Sequence, residues 1–184
     1  GEANPRGSLR VVFYEEVAGG SGTTWRASGW MASVLAYLTV GVDLSRYRIS
    51  FDVAGQIDGP SAGGLLTTAL IAALLGDTVR PDATMTGIIN PDGTIGPVGG
   101  IPHKIDGAAE RGKKLVLIPY GQRFDVDMKL KRSVDLVERG SARGVEVREV
   151  RHVSEAYAAL TGRALPLVTP SGNPLPEVPA AVQA

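Results

Sequence analysis

Residues 58–64 read Asp-Gly-Pro-Ser-Ala-Gly-Gly, and an uncharged, largely apolar run over residues 65–75 follows directly. A Gly-Pro pair followed by small residues is typical of a chain that leaves a strand and starts a helix. Ser61 would then lie at the helix N-terminus, where free N–H groups and the positive end of the dipole stabilise a developing negative charge. The stretch predicts a nucleophilic serine at the start of a central, largely buried helix.

The glycine pair inside this helix, Gly63 and Gly64, lowers its intrinsic helix propensity. Two explanations fit such a pair equally well. One is the close approach of a substrate backbone, and the other is tight packing of the helix against a sheet. The sequence leaves both open.

Composition limits the classes of function. With 184 residues, 43% of them hydrophobic, we expect one compact domain over residues 1–163 and a Pro-rich tail or linker over 164–184. The 19 basic and 19 acidic residues balance, so there is no electrostatic signature of nucleic-acid binding. The absence of cysteine excludes disulfides and thiolate chemistry, and the cellular compartment stays undetermined. No apolar run is long enough for a membrane span.

Hydrophobic periodicity and turn residues predict an α+β (mixed α/β) fold, a compact two-layer domain with helices packed on a mixed β-sheet. The predicted strands cover residues 9–17, 48–54, 84–89, 94–98, 114–118 and 145–150. The predicted helices cover residues 26–40, 61–75, 101–111, 126–139 and 153–160.

A serine nucleophile needs a partner that takes its proton, and Lys104 is one candidate. It lies in the first turn of a predicted helix among uncharged neighbours. A lysine base must be neutral near pH 7, so its pKa has to fall by roughly three units, about 4 kcal/mol, which burial can achieve. Lys113 and Lys114 flank a strand next to Arg111, a setting that keeps lysine charged. By position alone, however, Lys104 would be a solvated helix lysine.

A histidine is the other candidate partner. Residues 59–63 fit the G-x-S-x-G elbow of α/β-hydrolases, and the triad would then be Ser61, Asp125 or Asp135, and His152. No HGGG-type loop precedes the serine, and a proline directly before it fits the strained elbow poorly. His152, at the start of the last predicted helix, is more typical of a cap or a surface residue, and we expect His103 to be exposed.

Four linked motifs resemble the proteolytic domain of the Lon protease family. They are DGPSAG at residues 58–63, MTG at 85–87, G-x-I-x-PVGGI-x-x-K at 93–104 and LVLIP at 115–119. Their order and spacing fit throughout, which is far more specific than one G-x-S-x-G pattern.

The resemblance implies a serine–lysine dyad in which Ser61 is the nucleophile and Lys104 the general base. Thr86 matches a threonine whose hydroxyl hydrogen-bonds the lysine amine. Asp58 matches an acidic residue of the serine loop that can shape or block the site, although by its position it is also a helix N-cap. The backbone N–H groups at the start of the serine helix, with Ala62 first, are the expected oxyanion donors.

The resemblance also implies a serine endopeptidase that acts on unfolded polypeptides and assembles as a homo-oligomeric ring, commonly a hexamer. Trp25 and Tyr120 are candidate exposed apolar residues for such contacts. We expect no cofactor in this chain, because no P-loop motif is present and ATP would enter only through an ATPase module elsewhere. The alternatives are a Ser-His-Asp hydrolase of small esters and a non-catalytic peptide-binding domain of the same fold.

Overall fold

The computed structural model describes residues 2–3, 10–43 and 47–166. The predicted tail over residues 164–184 lies outside the described residues except for its first three positions. The described residues form ten strands and five helices. The strands are β1 (Glu2–Ala3), β2 (Arg10–Glu15), β3 (Tyr47–Val53), β4 (Ala83–Met85), β5 (Ile88–Ile89), β6 (Ile95–Gly96), β7 (Leu115–Pro119), β8 (Phe124–Asp127), β9 (Arg132–Asp135) and β10 (Glu146–Val150). The helices are α1 (Thr23–Val40), α2 (Gly63–Leu75), α3 (Ile101–Glu110), α4 (Leu136–Ser141) and α5 (Val153–Thr161).

A small mixed sheet holds the N-terminal part of the fold. Strands β2 and β3 pair in parallel with α1 as their connection, and β1 pairs antiparallel with β3. Three aromatic rings, Phe13, Trp25 and Phe51, pack together between this sheet and α1, with centroids 5.6–6.1 Å apart. Gly29 of α1 leaves no room for a side chain against Phe13 and Phe51, so helix and sheet lie close together.

The central sheet is parallel, in the order β10-β7-β4. Strand β7 is buried on both faces, as its unbroken apolar sequence predicts. Leu115 and Leu117 belong to the core formed with α2 and α5, while Val116 and Ile118 belong to the core formed with α3 and α4. Helices thus pack on both faces of this central sheet. The combination of helices and mixed strands confirms the predicted α+β class.

The predicted helix over residues 126–139 is wrong. Residues 124–135 form the hairpin β8–β9, and α4 begins only at Leu136. The buried Asp127 carboxylate accepts the backbone N–H groups of Lys129 and Leu130, which fixes the turn. The apolar side chains that suggested a helical face, Val126 and Leu130, are exposed.

The predicted strand over residues 84–89 is two strands. β4 ends at Met85 in the central sheet, and β5 begins at Ile88 and pairs antiparallel with β6, as the predicted hairpin requires. Thr86 and Gly87 make the step between the two sheets. Both are buried, so this step lies inside the molecule.

Helix α1 turns its small residues inward. Ser28, Gly29, Ala32, Ser33 and Ala36 are buried, whereas Trp30, Val34 and Leu38 are exposed. The expectation that Trp25 is exposed is wrong, because its side chain is only 5% exposed, but Tyr120 is exposed as expected. No helix in the part of the chain that the structure describes combines the length and apolarity needed to cross a membrane.

Candidate active site

Ser61 lies two residues before α2, in the turn that connects β3 to this helix. The turn contains Gly59 with φ of 95°, a conformation that favours glycine. The Ser61 carbonyl accepts the N–H of Gly87 at 2.8 Å, and the Gly64 N–H donates to the Gly87 carbonyl at 3.0 Å. These two hydrogen bonds fix the serine turn to the step between β4 and β5. Ser61 itself is half-buried.

The glycine pair at the start of α2 serves packing of the helix against strands. A Cβ on Gly63 would lie 2.9 Å from Ile89 Cγ2 and 3.0 Å from the Ile89 nitrogen. A Cβ on Gly64 would lie 2.8 Å from Met85 Cε. Of the two explanations that the sequence left open, the structure favours tight helix–strand packing.

We expect Gly63→Ala to lower the free energy of unfolding by about 1–3 kcal/mol, because the new methyl group overpacks the contact with Ile89. Urea unfolding followed by circular dichroism measures this change. Gly99→Ala is the matched control, since a Cβ there would meet nothing within 4 Å. Equal stability of the two variants would contradict the packing role.

Lys104 lies in the first turns of α3, which begins after Gly100 with φ of 68° and carries Pro102 in its first turn. The Lys104 Nζ donates a hydrogen bond to Thr86 Oγ1 at 3.0 Å. Burial lowers the pKa of the Lys104 ammonium from its usual value, and the nearby Asp125 carboxylate partly opposes this shift. The direction of the shift is the one that a lysine base requires.

Thr86 contacts both residues of the predicted dyad. Its side chain is buried, its Oγ1 accepts from Lys104, and its hydroxyl donates to the Ser61 carbonyl at 3.3 Å. Ser61, Thr86 and Lys104 also line one cavity of about 400 Å³, which lies between the start of α2, β4 and α3. The structure therefore brings these three predicted residues together, and Ala62 lines the same cavity.

For the peptide hydrolysis that the family resemblance implies, we expect Thr86→Val to lower kcat/KM by about tenfold, because the lysine amine loses the acceptor that orients it. Valine has nearly the same shape as threonine, so the fold should persist, which thermal unfolding checks. Thr86→Ser keeps the hydroxyl and should retain most of the activity. An equal loss of kcat/KM in Thr86→Val and Thr86→Ser would show that the Thr86 hydroxyl does not account for the effect.

Asp58 caps a different helix from the one expected. Its carboxylate accepts from the Thr24 hydroxyl at 2.5 Å and from the Trp25 N–H at 3.2 Å, at the start of α1. Hydrogen bonds from Thr24 and Gly59 lower the pKa of this carboxyl. The N-cap of α1 is Gly22, and a side chain there would collide with Asp58. Asp58 is not among the residues that line the cavity.

The structure does not assemble the alternative Ser-His-Asp triad. His152 is the N-cap of α5, and its ring nitrogens contact Ser154 and the Asp92 carbonyl. Asp125 accepts the Ile101 N–H at the start of α3, and Asp135 is the N-cap of α4. All three side chains are engaged at helix termini, and His152 does not line the cavity.

Two features of the cavity wall were missed by sequence reasoning. His103, expected to be exposed, lines the cavity and has its Nε2 3.8 Å from Asp127 Oδ1, while Asp127 pairs with Arg139 at 2.8 Å. Arg111 and Lys113 line the same cavity. No local pattern signals these contacts, because they depend on how α3 lies against β4 and the β8–β9 hairpin.

Comparison with known proteins agrees with this fold and cavity. Residues 52–155 match the family model described as the Lon protease (S16) C-terminal proteolytic domain. This chain therefore belongs to the Lon protease family, as the motifs predicted. The matched range contains the serine turn, Thr86 and Lys104.

Individual relatives carry the same name. The chain is 48% identical over 94 residues to a Lon protease of Desulfovibrio desulfuricans, covering 48% of this chain and 11% of that protein. It is 37% identical over 148 residues to a Lon protease of Acinetobacter baumannii, covering 76% of this chain and 16% of that protein. It is 32% identical over 153 residues to an archaeal Lon protease of Halobacterium salinarum, covering 71% of this chain and 20% of that protein. The chain thus spans between 11% and 20% of the length of these curated relatives.

Proposed function

We propose that this chain is a serine endopeptidase that hydrolyses peptide bonds of unfolded or loosely folded polypeptides. Membership of the Lon protease family supports peptidase chemistry. The single observation that carries the proposal is the hydrogen bond from Lys104 Nζ to Thr86 Oγ1, in a cavity that Ser61 also lines. This hydrogen bond fixes the position of a half-buried amine, and a serine nucleophile needs such a base to take the proton of its hydroxyl.

In the first step the neutral Lys104 amine takes the proton of the Ser61 hydroxyl as the serine oxygen attacks the peptide carbonyl carbon. The resulting oxyanion needs donors, and the Ala62 N–H has no acceptor among the described residues. The N–H groups of Gly63 and Gly64 instead donate to the carbonyls of Pro60 and Gly87. We therefore assign the Ala62 N–H, assisted by the dipole of α2, as the main oxyanion donor.

In the second step the tetrahedral intermediate collapses. The Lys104 ammonium returns its proton to the leaving amine, the C–N bond breaks, and an ester links the substrate acyl group to Ser61. Lys104, again neutral, then takes a proton from the water that attacks the ester carbonyl carbon. The bond between that carbon and the Ser61 oxygen breaks as Lys104 returns this proton to the serine oxygen, which releases the acid product and restores the Ser61 hydroxyl and the neutral amine. The hydroxyl of Thr86 keeps the amine in place through acylation and deacylation.

Hydrolysis of casein and of an internally quenched peptide tests the proposed function. The 184-residue chain should cleave both, and Ser61→Ala should cleave neither while its circular dichroism spectrum stays unchanged. Cleavage of small esters that depends on His152 and not on Lys104 would instead select the ester hydrolase. Peptide binding without any cleavage would select a binding domain of the same fold.

We also propose that copies of the chain associate, in a ring as the family resemblance implies. Helix α1 exposes an uncharged stripe of Trp30, Val34 and Leu38, the last 62% exposed. Their spacing of four residues puts them on one face of α1, which makes this stripe a candidate contact surface. Sedimentation velocity should show an oligomer that Leu38→Glu dissociates, and a monomer at all concentrations would contradict the proposal.

A further inference from the structure

The cavity beside Ser61 has a pronounced charge asymmetry. Its apolar wall includes Leu65, Met85 and Val116, and its basic side chains are His103, Lys104, Arg111 and Lys113. None of the described residues that line it carries a carboxylate. A cavity with an apolar wall and an excess of positive charge favours a ligand with an apolar stem and an anionic end.

Arg111 and Lys113 lie at and just after the C-terminus of α3, beyond Lys104 along the cavity wall. The backbones of Lys104 and Arg111 are seven residues apart, about 10 Å along the helix axis, and the Arg111 side chain folds back along α3 toward Gly107. Arg111 Nη1 donates to the Gly107 carbonyl at 3.2 Å, and Lys113 Nζ donates to the Pro81 carbonyl at 2.6 Å. Arg111 is therefore held on the α3 side of the cavity and Lys113 on the side next to β4.

Both cations lack a close carboxylate partner within the part of the chain that the structure describes. Neither Arg111 nor Lys113 forms an ion pair with a described carboxylate. The acidic residue that feels the charge of Lys113, Asp82, is already paired with Arg80 through two hydrogen bonds of 3.0 and 2.8 Å. Arg111, which is exposed, and Lys113, which interacts only weakly with the already paired Asp82, can therefore both attract an external anion.

Gly107 lines the cavity between Lys104 and Arg111 and has no evident packing reason to be glycine. A Cβ there would meet only the Arg111 Nη1, at 3.4 Å. Glycine in a helix interior costs stability relative to alanine. Its use at this position leaves space along the wall that leads from the predicted dyad to the two cations.

We propose that this cavity is a specificity pocket for an acidic substrate side chain next to the cleaved bond, an inference that rests on the proposed peptidase function. The substrate carboxylate pairs with Arg111 and Lys113 while its methylene stem lies against Leu65 and Val116. Glutamate fits better than aspartate, because its longer stem covers more of the distance from Ser61 to the cations. A neutral isostere such as glutamine gains the apolar contact only.

A series of internally quenched peptides tests this specificity. The peptides are identical except for Glu, Gln, Leu or Lys at each of the two positions that flank the cleaved bond. We expect kcat/KM for the best Glu peptide to exceed that of its Gln counterpart by about tenfold at low salt, and the ratio to fall as salt screens the pairing. The Lys peptide should be the poorest of the series.

Substitutions of Arg111 and Lys113 test whether these two cations cause the preference for glutamate. Arg111→Gln and Lys113→Gln should each lower the Glu-to-Gln ratio, and the double variant should bring it close to one. Lys114→Gln is the matched control, because Lys114 is exposed and does not line the cavity, and it should leave the ratio unchanged. Replacing both cations with Glu should make the Lys peptide the better substrate.

The outcomes separate the two proposals. Equal cleavage of Glu and Gln peptides, or a preference for Glu that survives in the double variant, would overturn the acidic pocket and leave the peptidase function intact. Failure to cleave any peptide or casein would overturn the peptidase function and the pocket with it. A ratio that falls equally in Lys114→Gln would show a general surface-charge effect and also overturn the pocket.

Discussion

Lys104→Met should lower kcat/KM for peptide hydrolysis by about 10³-fold or more. Methionine keeps the length and the apolar stem of lysine but has no group that can accept the serine proton. Since burial already disfavours the charged form of Lys104, loss of the amine should not unfold the domain. Steady-state hydrolysis of a quenched peptide measures the loss, and circular dichroism checks the fold.

Lys114→Met is the matched control for this substitution. It makes the same chemical change at an exposed lysine outside the cavity and should leave kcat/KM within about twofold. Activity of Lys104→Met within tenfold of the unchanged protein would remove Lys104 from the proposed mechanism. The hydrogen bond to Thr86 would then be only structural.

The second large effect is the dependence of activity on pH. Lys104 is a base only when deprotonated, so kcat/KM should rise about tenfold per pH unit below its pKa in the free enzyme and level off above it. Burial lowers this pKa below its usual value of 10.5, so the plateau should begin on the acid side of that value. Initial rates of peptide hydrolysis in buffers from pH 6 to pH 10 measure the profile.

His103 also lines the cavity and directly precedes Lys104 in the chain, so it provides the control. If Lys104 is the base, the midpoint of the alkaline rise should stay in place in His103→Gln, whatever the absolute rate. Loss of the alkaline rise in this variant would instead show that Lys104 is not the titrating base.

The local parts of the site could be predicted from the sequence because turn residues encode them. Gly59 and Pro60 locate the serine turn, and Pro102 locates the start of α3, within two residues of the observed boundaries. The contact between Thr86 and Lys104 joins two elements that are distant in the chain. It came from the family resemblance and not from spacing or periodicity.

The β8–β9 hairpin shows where periodicity misleads. Val126, Leu130, Val134 and Val137 have helical spacing, but the run from Phe124 to Asp127 also alternates, as a strand does. The tertiary contacts of Asp127, which is buried against Arg139, decide for the hairpin. This choice depends on α3 and α4, which no window of sequence around residue 127 contains.

Contacts between residues distant in the chain also determine which face of α1 is buried and which helix Asp58 caps. Close approach to the aromatic pair Phe13 and Phe51 selects Gly29 and its small neighbours for the inner face, so larger apolar residues are left outside. Asp58 caps α1 instead of the adjacent α2, because Gly22 leaves space for its carboxylate. Residue type predicted a cap at Asp58, but the fold determined which helix it caps.

Covalent labelling tests the proposed Ser61–Lys104 dyad most directly. A peptidyl phosphonate reacts with an activated serine, and peptide mass spectrometry locates the adduct. We predict one adduct on Ser61, formed at least about 100-fold more slowly in Lys104→Met and absent in Ser61→Ala. An adduct on another residue, or labelling of Ser61 at the same rate without Lys104, would contradict the dyad.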